Sequence, residues 1–181
     1  MVEIIPANNS DFGIIKDLAY HIWPATYGRI LSEKQLAYML DLFYNEKALQ
    51  QNVADNHRFI LIKENEVAVG FADYELQYKN DAVTRIHKIY VLPETQGKGF
   101  GKKMIQYIEN KALEAKNIKL SLNVNRFNKA KDFYESQGFK IAFEEDVELD
   151  FGYLMEDYRM EKTKRKKQKG GPITTKNDLK N

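Results

Sequence analysis

The chain has 181 residues, 43% of them hydrophobic and 30% charged, with no cysteine. That length fits one domain with its own apolar core, and the lack of cysteine excludes a thiol nucleophile, a zinc thiolate site and a redox pair. The net charge of +2 is unevenly spread: from Lys162 onward there are eight Lys or Arg and one Asp, which leaves 20 basic against 25 acidic residues before it.

In chain order, "VEIIPA" alternates as a first strand, and a helix follows from about Asp11 to Ile22. After "WPATYG" two more helices are expected, one opening at the N-cap Ser32 and one near Glu46 to Ala54. "RFILIKENEVAVGFADYELQ" is a hairpin turning at Glu64 to Glu66, and "AVTRIHKIYVL" is the next consecutive strand, giving three antiparallel strands in a row. A helix from about Gly99 to Lys116, a strand "IKLSLNV", a helix from about Asn128 to Gln137, a strand after Gly138 and a last strand near "GYLMEDYRME" complete the body. The order is mixed α/β. The segment "KTKRKKQKGGPITTKNDLKN" lacks aromatics and is expected to be a disordered basic tail over 162–181, leaving a domain over 1–161. No secretory h-region and no apolar run of about 18 residues is present, so a soluble, cytoplasmic protein with no membrane partner is expected.

The stretch "VLPETQGKGFGKKMI" carries Gly97, Gly99 and Gly101 between a strand and a helix whose apolar positions Phe100, Met104, Ile105, Ile108 and Ala112 keep helical spacing. Amides at a helix N-terminus have no intrahelical partner and favour anions, and glycine lets a phosphate approach the backbone. Lys98, Lys102 and Lys103 add positive charge. The spacing fits neither a Walker A loop nor the dinucleotide G-x-G-x-x-G, because Gln96 and Lys102 stand where each needs glycine. What remains is Q-x-x-G-x-G after a strand; a glycine turn with no ligand is the alternative.

Gln96 to Gly101, preceded by "IYVLPET", resembles the [RQ]-x-x-G-x-[GA] hallmark of the GNAT superfamily of acetyl-CoA-dependent N-acetyltransferases, and "NVNRFNKAKDFYESQGF" is similar to that family's second block. The resemblance covers about Val2 to Glu161. It implies the GNAT fold, a central, mostly antiparallel, splayed sheet flanked by helices. It also implies acetyl-CoA as cosubstrate without a metal, held by Gln96, Gly97, Lys98, Gly99, Phe100, Gly101 and Lys102 and by the strand backbone of Ile89, Tyr90 and Val91. Asn123, Asn128 and Lys131 complete the expected cofactor contacts, with an N-cap as the alternative for Asn128.

Direct attack of an amine on a bound thioester needs proximity, an oxyanion donor, a route for the amine proton and an acid for the thiolate. Tyr134 of "FYESQGF" matches the family's general acid. Strict alternation places Asp73 and Glu75 on one face with Val69 and Phe71, and His87 on the face of Ile89 and Val91. Glu75 and His87 are the candidate bases, since the ribosomal-protein branch of the family has a Glu where this chain has Asn123. Between Ile141 and Tyr158 lie seven acids and no Lys or Arg, an acidic lip that would concentrate a small cationic amine. The pattern looks most like the PaiA-type spermidine/spermine branch, so a polyamine-like acceptor is expected. A protein N-terminus or Lys as acceptor, a non-catalytic acyl-CoA-binding regulator and a basic-tailed nucleic-acid module are the alternatives; the acidic body disfavours nucleic acid, and a homodimer is left open.

Overall fold

The computed structural model describes residues 1–164. Seven strands form a single sheet in the order β1-β2-β3-β4-β5-β7-β6. β1 (Val2–Pro6), β2 (Arg58–Glu64), β3 (Val67–Glu75) and β4 (Val83–Val91) run antiparallel to one another. β5 (Lys119–Asn125), β6 (Lys140–Glu148) and β7 (Leu154–Thr163) make a second antiparallel group, with β7 inserted between β5 and β6. The two groups meet through a parallel contact of only four pairs, from Val83↔Lys119 to Ile86↔Leu122. Beyond it β4 and β5 part, and the sheet splays.

Three helices precede β2: α1 (Phe12–Tyr27), α2 (Glu33–Tyr44) and α3 (Glu46–Ala54). Ser32 caps α2 by accepting from the Gln35 amide at 3.1 Å, and Asn45 caps α3 by accepting from the Ala48 amide at 2.8 Å. α1 runs five residues past the expected end at Ile22, through Pro24. Proline forfeits one helical hydrogen bond, but Trp23 packs on Tyr27, Tyr44 and Tyr90 with ring centroids 4.8, 5.7 and 5.9 Å away and anchors the last turn. The β2–β3 turn falls at Asn65 and Glu66, both with positive φ (49° and 69°), as a two-residue hairpin turn requires.

α4 (Phe100–Glu114) and α5 (Ala130–Ser136) cover the other face. One core cluster joins Phe100, Met104, Ile105, Ile108 and Tyr134 to Ile60, Ile62, Ile86, Leu122 and Met160 of the sheet. The second joins Ile15, Ile22, Trp23, Leu40, Tyr44 and Leu49 to Phe59, Leu61 and Phe71. Each side chain buried this fully contributes about 1.5–3 kcal/mol from removal of apolar surface from water.

Two bulges break the alternation read from the sequence. Between Ile62 and Lys63 the register slips so that Val69 is extra, and Val69 joins the α4 core while Phe71 faces α1–α3. The expectation that Val69 and Phe71 share a face is therefore corrected. A second slip beside Asp73 and Tyr74 makes His87 the extra residue on β4 and turns it toward Glu75, away from the face of Ile89 and Val91. At the other end, Lys162 and Thr163 pair with Leu120 and Lys119, so the sheet continues past the expected boundary at residue 161; residues 165–181 of the expected tail lie outside the described residues. No described helix is long and apolar enough to cross a membrane.

Candidate functional site

β4 ends in a short turn, Pro93–Thr95, whose buried Thr95 donates its hydroxyl to the Leu92 carbonyl at 2.9 Å. Gly97 and Gly99 follow at φ +86° and +78°, in the left-handed region that other residues enter only at a cost. A Cβ on either would meet no protein atom within 4 Å, so packing does not require these glycines. The first helical hydrogen bond runs from the Lys103 amide to the Gly99 carbonyl, which leaves the amides of Phe100, Gly101 and Lys102 without a helical partner at the start of α4. Gly101 has a different reason: its Cβ would come within 3.2 Å of the Phe133 ring, where α4 meets α5.

The loop opens into the splay. Ile89, Tyr90 and Val91 pair with Ala72, Phe71 and Gly70 on one side, while their other backbone edge lies past the last β5 pair. Tyr134 on α5 is buried among Phe133 and Phe139, and burial, with Tyr27 nearby, pushes its hydroxyl well above its ordinary value. From the opposite face Tyr27 hydrogen-bonds Tyr90 at 3.0 Å, and burial also raises both of these hydroxyls. Tyrosines from α1, β4 and α5 thus converge on the gap between the two halves of the sheet.

The remaining expected cofactor contacts are placed differently. Lys98 is held by Glu64 at 3.1 Å, and Lys131 by Glu135 at 2.9 Å. Asn128 accepts from the Ala130 amide at 2.9 Å, one residue ahead of Lys129, which holds the N-cap position of α5. The Asn123 amide is taken up on the α1–α3 face: it donates to Glu145 at 2.9 Å and Asp157 at 3.3 Å and accepts from Arg159 at 2.8 Å. Its side chain thus joins two carboxylates and a guanidinium.

The seven acids do not form one lip. Register pairs Asp146 with Glu156 and Glu144 with Tyr158 on the α5 side, where Arg126 reaches Asp146, Glu144 and Glu156 at 2.8, 3.6 and 3.7 Å. Glu145 and Asp157 pair on the opposite side. Burial lifts the Asp157 carboxyl to about 6 against the pull of Asn123 and Arg85. Burial alone would raise Glu145 as well, but Asn123 and Arg159 bring it below the usual range. Arg85 lies buried beneath this group and donates to the Ser121 hydroxyl at 2.9 Å; burial, with Arg159 nearby, lowers it to about 10.

Where β4 leaves β5, the structure brings both expected bases together with Asp73 and with His57, which no sequence motif marks. Glu75 Oε1 lies 3.2 Å from His87 Nε2 and 3.4 Å from His57 Nε2. His57 Nδ1 lies 2.8 Å from the buried Asp73, which also accepts from Lys88 at 2.9 Å. The ligand atoms of His57, Glu75 and His87 are within 4.8 Å of one another. The two imidazoles are stacked, however, 3.8 Å apart and 8° from parallel, so their in-plane lone pairs run side by side instead of converging on one ion. The only signal for His57 in the sequence was its alternation with Phe59 and Leu61; Asp157 was one acid among seven.

Residues 55–141 match the Acetyltransferase (GNAT) domain family. The chain is 35% identical over 114 residues, 61% of its own length and 77% of the relative's, to a 5-NmdU N-acetyltransferase of Pseudomonas phage PaMx11. The chain belongs to the GNAT acetyltransferase family. As a GNAT N-acetyltransferase it uses acetyl-CoA as the acetyl donor. Its fold is that of the PaiA N-acetyltransferase from Thermoplasma acidophilum, solved in complex with coenzyme A, with a TM-score of 0.76 and 21% identity over 91% of this chain and 99% of that one. A spermidine N-acetyltransferase chimera from Vibrio cholerae gives a TM-score of 0.67 at 20% identity, over 90% of this chain and 95% of that one.

Proposed function

We propose that this GNAT enzyme acetylates a small cationic primary amine, polyamine-like in character, by direct attack in a ternary complex. The observation that carries the reading is the splay: a free β4 backbone edge runs from the glycine loop to the tyrosines at the gap. The amides of Phe100, Gly101 and Lys102, left without a helical partner, take the pyrophosphate, and Gly97 and Gly99 let it approach without a side chain in the way. The edge of Ile89 to Val91 pairs with the pantetheine arm. The PaiA structure with coenzyme A has this fold, which supports the placement.

The acceptor nitrogen attacks the thioester carbon; the C–N bond forms and the C–S bond breaks. Tyr134, whose raised hydroxyl stays protonated at neutral pH, gives its proton to the departing thiolate. Glu75, backed by His87, takes a proton from the ammonium. The acceptor approaches from the α1–α3 face, past Tyr27 and Tyr90, whose ring faces suit a cation. Asp157 and Glu145 pair on that face, and Asp150 of the same segment accepts from Tyr38 of α2 at 3.1 Å.

A second acceptor, an amine carried on a nucleoside, is favoured by the relative that is a 5-NmdU N-acetyltransferase. The test is thiol release from acetyl-CoA with spermidine, a neutral-side-chain amino acid, a peptide and an aminomethyl nucleoside as acceptors. Spermidine should give the highest kcat/KM, and its KM should rise with added salt, because exposed charges are screened beyond about 8 Å at physiological ionic strength. Turnover with the nucleoside and not spermidine would transfer the assignment to that class.

A further inference from the structure

We propose that Asp73 and His57 form a proton-holding pair behind Glu75, so that the proton leaving the acceptor ammonium comes to rest on His57 Nε2. This deepens the reading of Glu75 as base and rests on it. Asp73 has no exposed surface. Burial alone would push its carboxyl up, but Lys88 at 2.9 Å and the His57 bond at 2.8 Å bring it below the usual range, so it is ionised. A carboxylate at that distance fixes the hydrogen of His57 on Nδ1. In the neutral ring, Nε2 then presents a lone pair to Glu75 Oε1 at 3.4 Å, and a carboxylate oxygen has no hydrogen to offer in return. Two acceptors face each other across a gap that one added proton turns into a hydrogen bond.

His87 does not compete for that proton. It touches the same Glu75 oxygen at 3.2 Å, yet its ring lies 3.8 Å from His57 and parallel to it, and two imidazoliums cannot share such a stack. Burial first, then His57, Lys88 and Arg85, lowers His87 to about 3 against the pull of Asp73, so it remains neutral and donates Nε2–H to Glu75. Asp55, on the turn after α3, adds negative charge near Glu75. Tyr78 meets the His87 ring edge-on at 5.7 Å, and Tyr44 of α2 lies 5.9 Å from the Lys88 ammonium. The pocket thus accepts a single proton, held between two carboxylates.

The step balances as follows. The ammonium passes one proton through Glu75 Oε1 to His57 Nε2; the free amine attacks, C–N forms and C–S breaks. The second nitrogen proton passes to water as the amide forms, the thiolate takes the Tyr134 proton, and after product release the His57 proton goes to water while Tyr134 regains a proton from water. His57 acts through Glu75 and is a positioning residue.

The experiment is the pH profile of kcat/KM for His57→Asn at saturating acetyl-CoA, because Asn keeps an N–H for Asp73 but accepts no proton. At and below neutral pH the rate should fall about 10²- to 10⁴-fold, acetyl-CoA affinity should hold, and the profile should keep rising toward the acceptor's own pKa. Added imidazole should restore rate to His57→Gly. A uniform loss with the wild-type profile would overturn the proposal. Independently of any variant, nitrogen NMR of the wild-type chain should show the neutral His57 ring as the Nδ1–H tautomer, and an Nε2–H tautomer would overturn it. Failure of every primary amine to release thiol from the wild-type enzyme would instead overturn the acceptor reading, and the tautomer measurement would still decide the pair.

Discussion

Tyr134 and Tyr27 approach the gap from opposite faces of the sheet, one on α5 and one on α1, and only Tyr134 lies in the core that holds α4. Replacing Tyr134 with Phe keeps the ring that packs against Phe133 and Phe139 and deletes the transferable proton. Turnover should fall by about 10²- to 10⁴-fold with acetyl-CoA affinity nearly unchanged, as stopped-flow kinetics and calorimetry would measure. Near-native turnover would mean that water protonates the thiolate. The place of Tyr134 on a short helix before a glycine was legible from "FYESQGF", whereas its role as acid is what the family resemblance implies. His57 was not legible, because it precedes β2 while its partners Asp73 and Glu75 lie on β3 and His87 is turned toward them from β4 by a bulge.

At the scale of elements, boundaries set by caps and turns were readable and faces set by bulges were not. Ser32 and Asn45 mark the starts of α2 and α3 through side-chain oxygens that accept amide hydrogens, a local signal. The extra residues Val69 and His87 arise from strand register, which alternation along one strand does not contain. On β7, Asp157 illustrates what pairing does to a charge. Its folded value of about 6 lies above an unfolded value of about 3.9, so the native state binds that proton more tightly. Its contribution to stability is therefore fully present below about pH 4 and is lost as pH rises through 6, by about 3 kcal/mol. Asp157→Asn should gain stability relative to wild type between pH 4 and 6 and level off above, in urea unfolding at each pH. A difference that is flat with pH would contradict the assignment.

Across the whole molecule, the splay is the feature that the order of elements could not supply. Alternating strands and helices gave the mixed α/β class, but that the β4–β5 contact stops after four pairs is a matter of register between distant segments. The same three-dimensional pairing divides the acids of β6 and β7 between opposite sides and assigns Arg126 to one group and Arg159 to the other, which no count along the chain distinguishes. The glycine loop was legible because its spacing is local and its conformational demand is intrinsic to glycine. Its position at the mouth of the splay joins the two halves of the account, and calorimetric titration of acetyl-CoA into the wild-type chain and Gly99→Val tests it most directly. The wild type should bind, and the variant, forced toward φ +78° with a branched side chain beside the unpaired amides, should lose binding while retaining its fold. Undiminished binding by the variant would contradict the placement of acetyl-CoA on this loop.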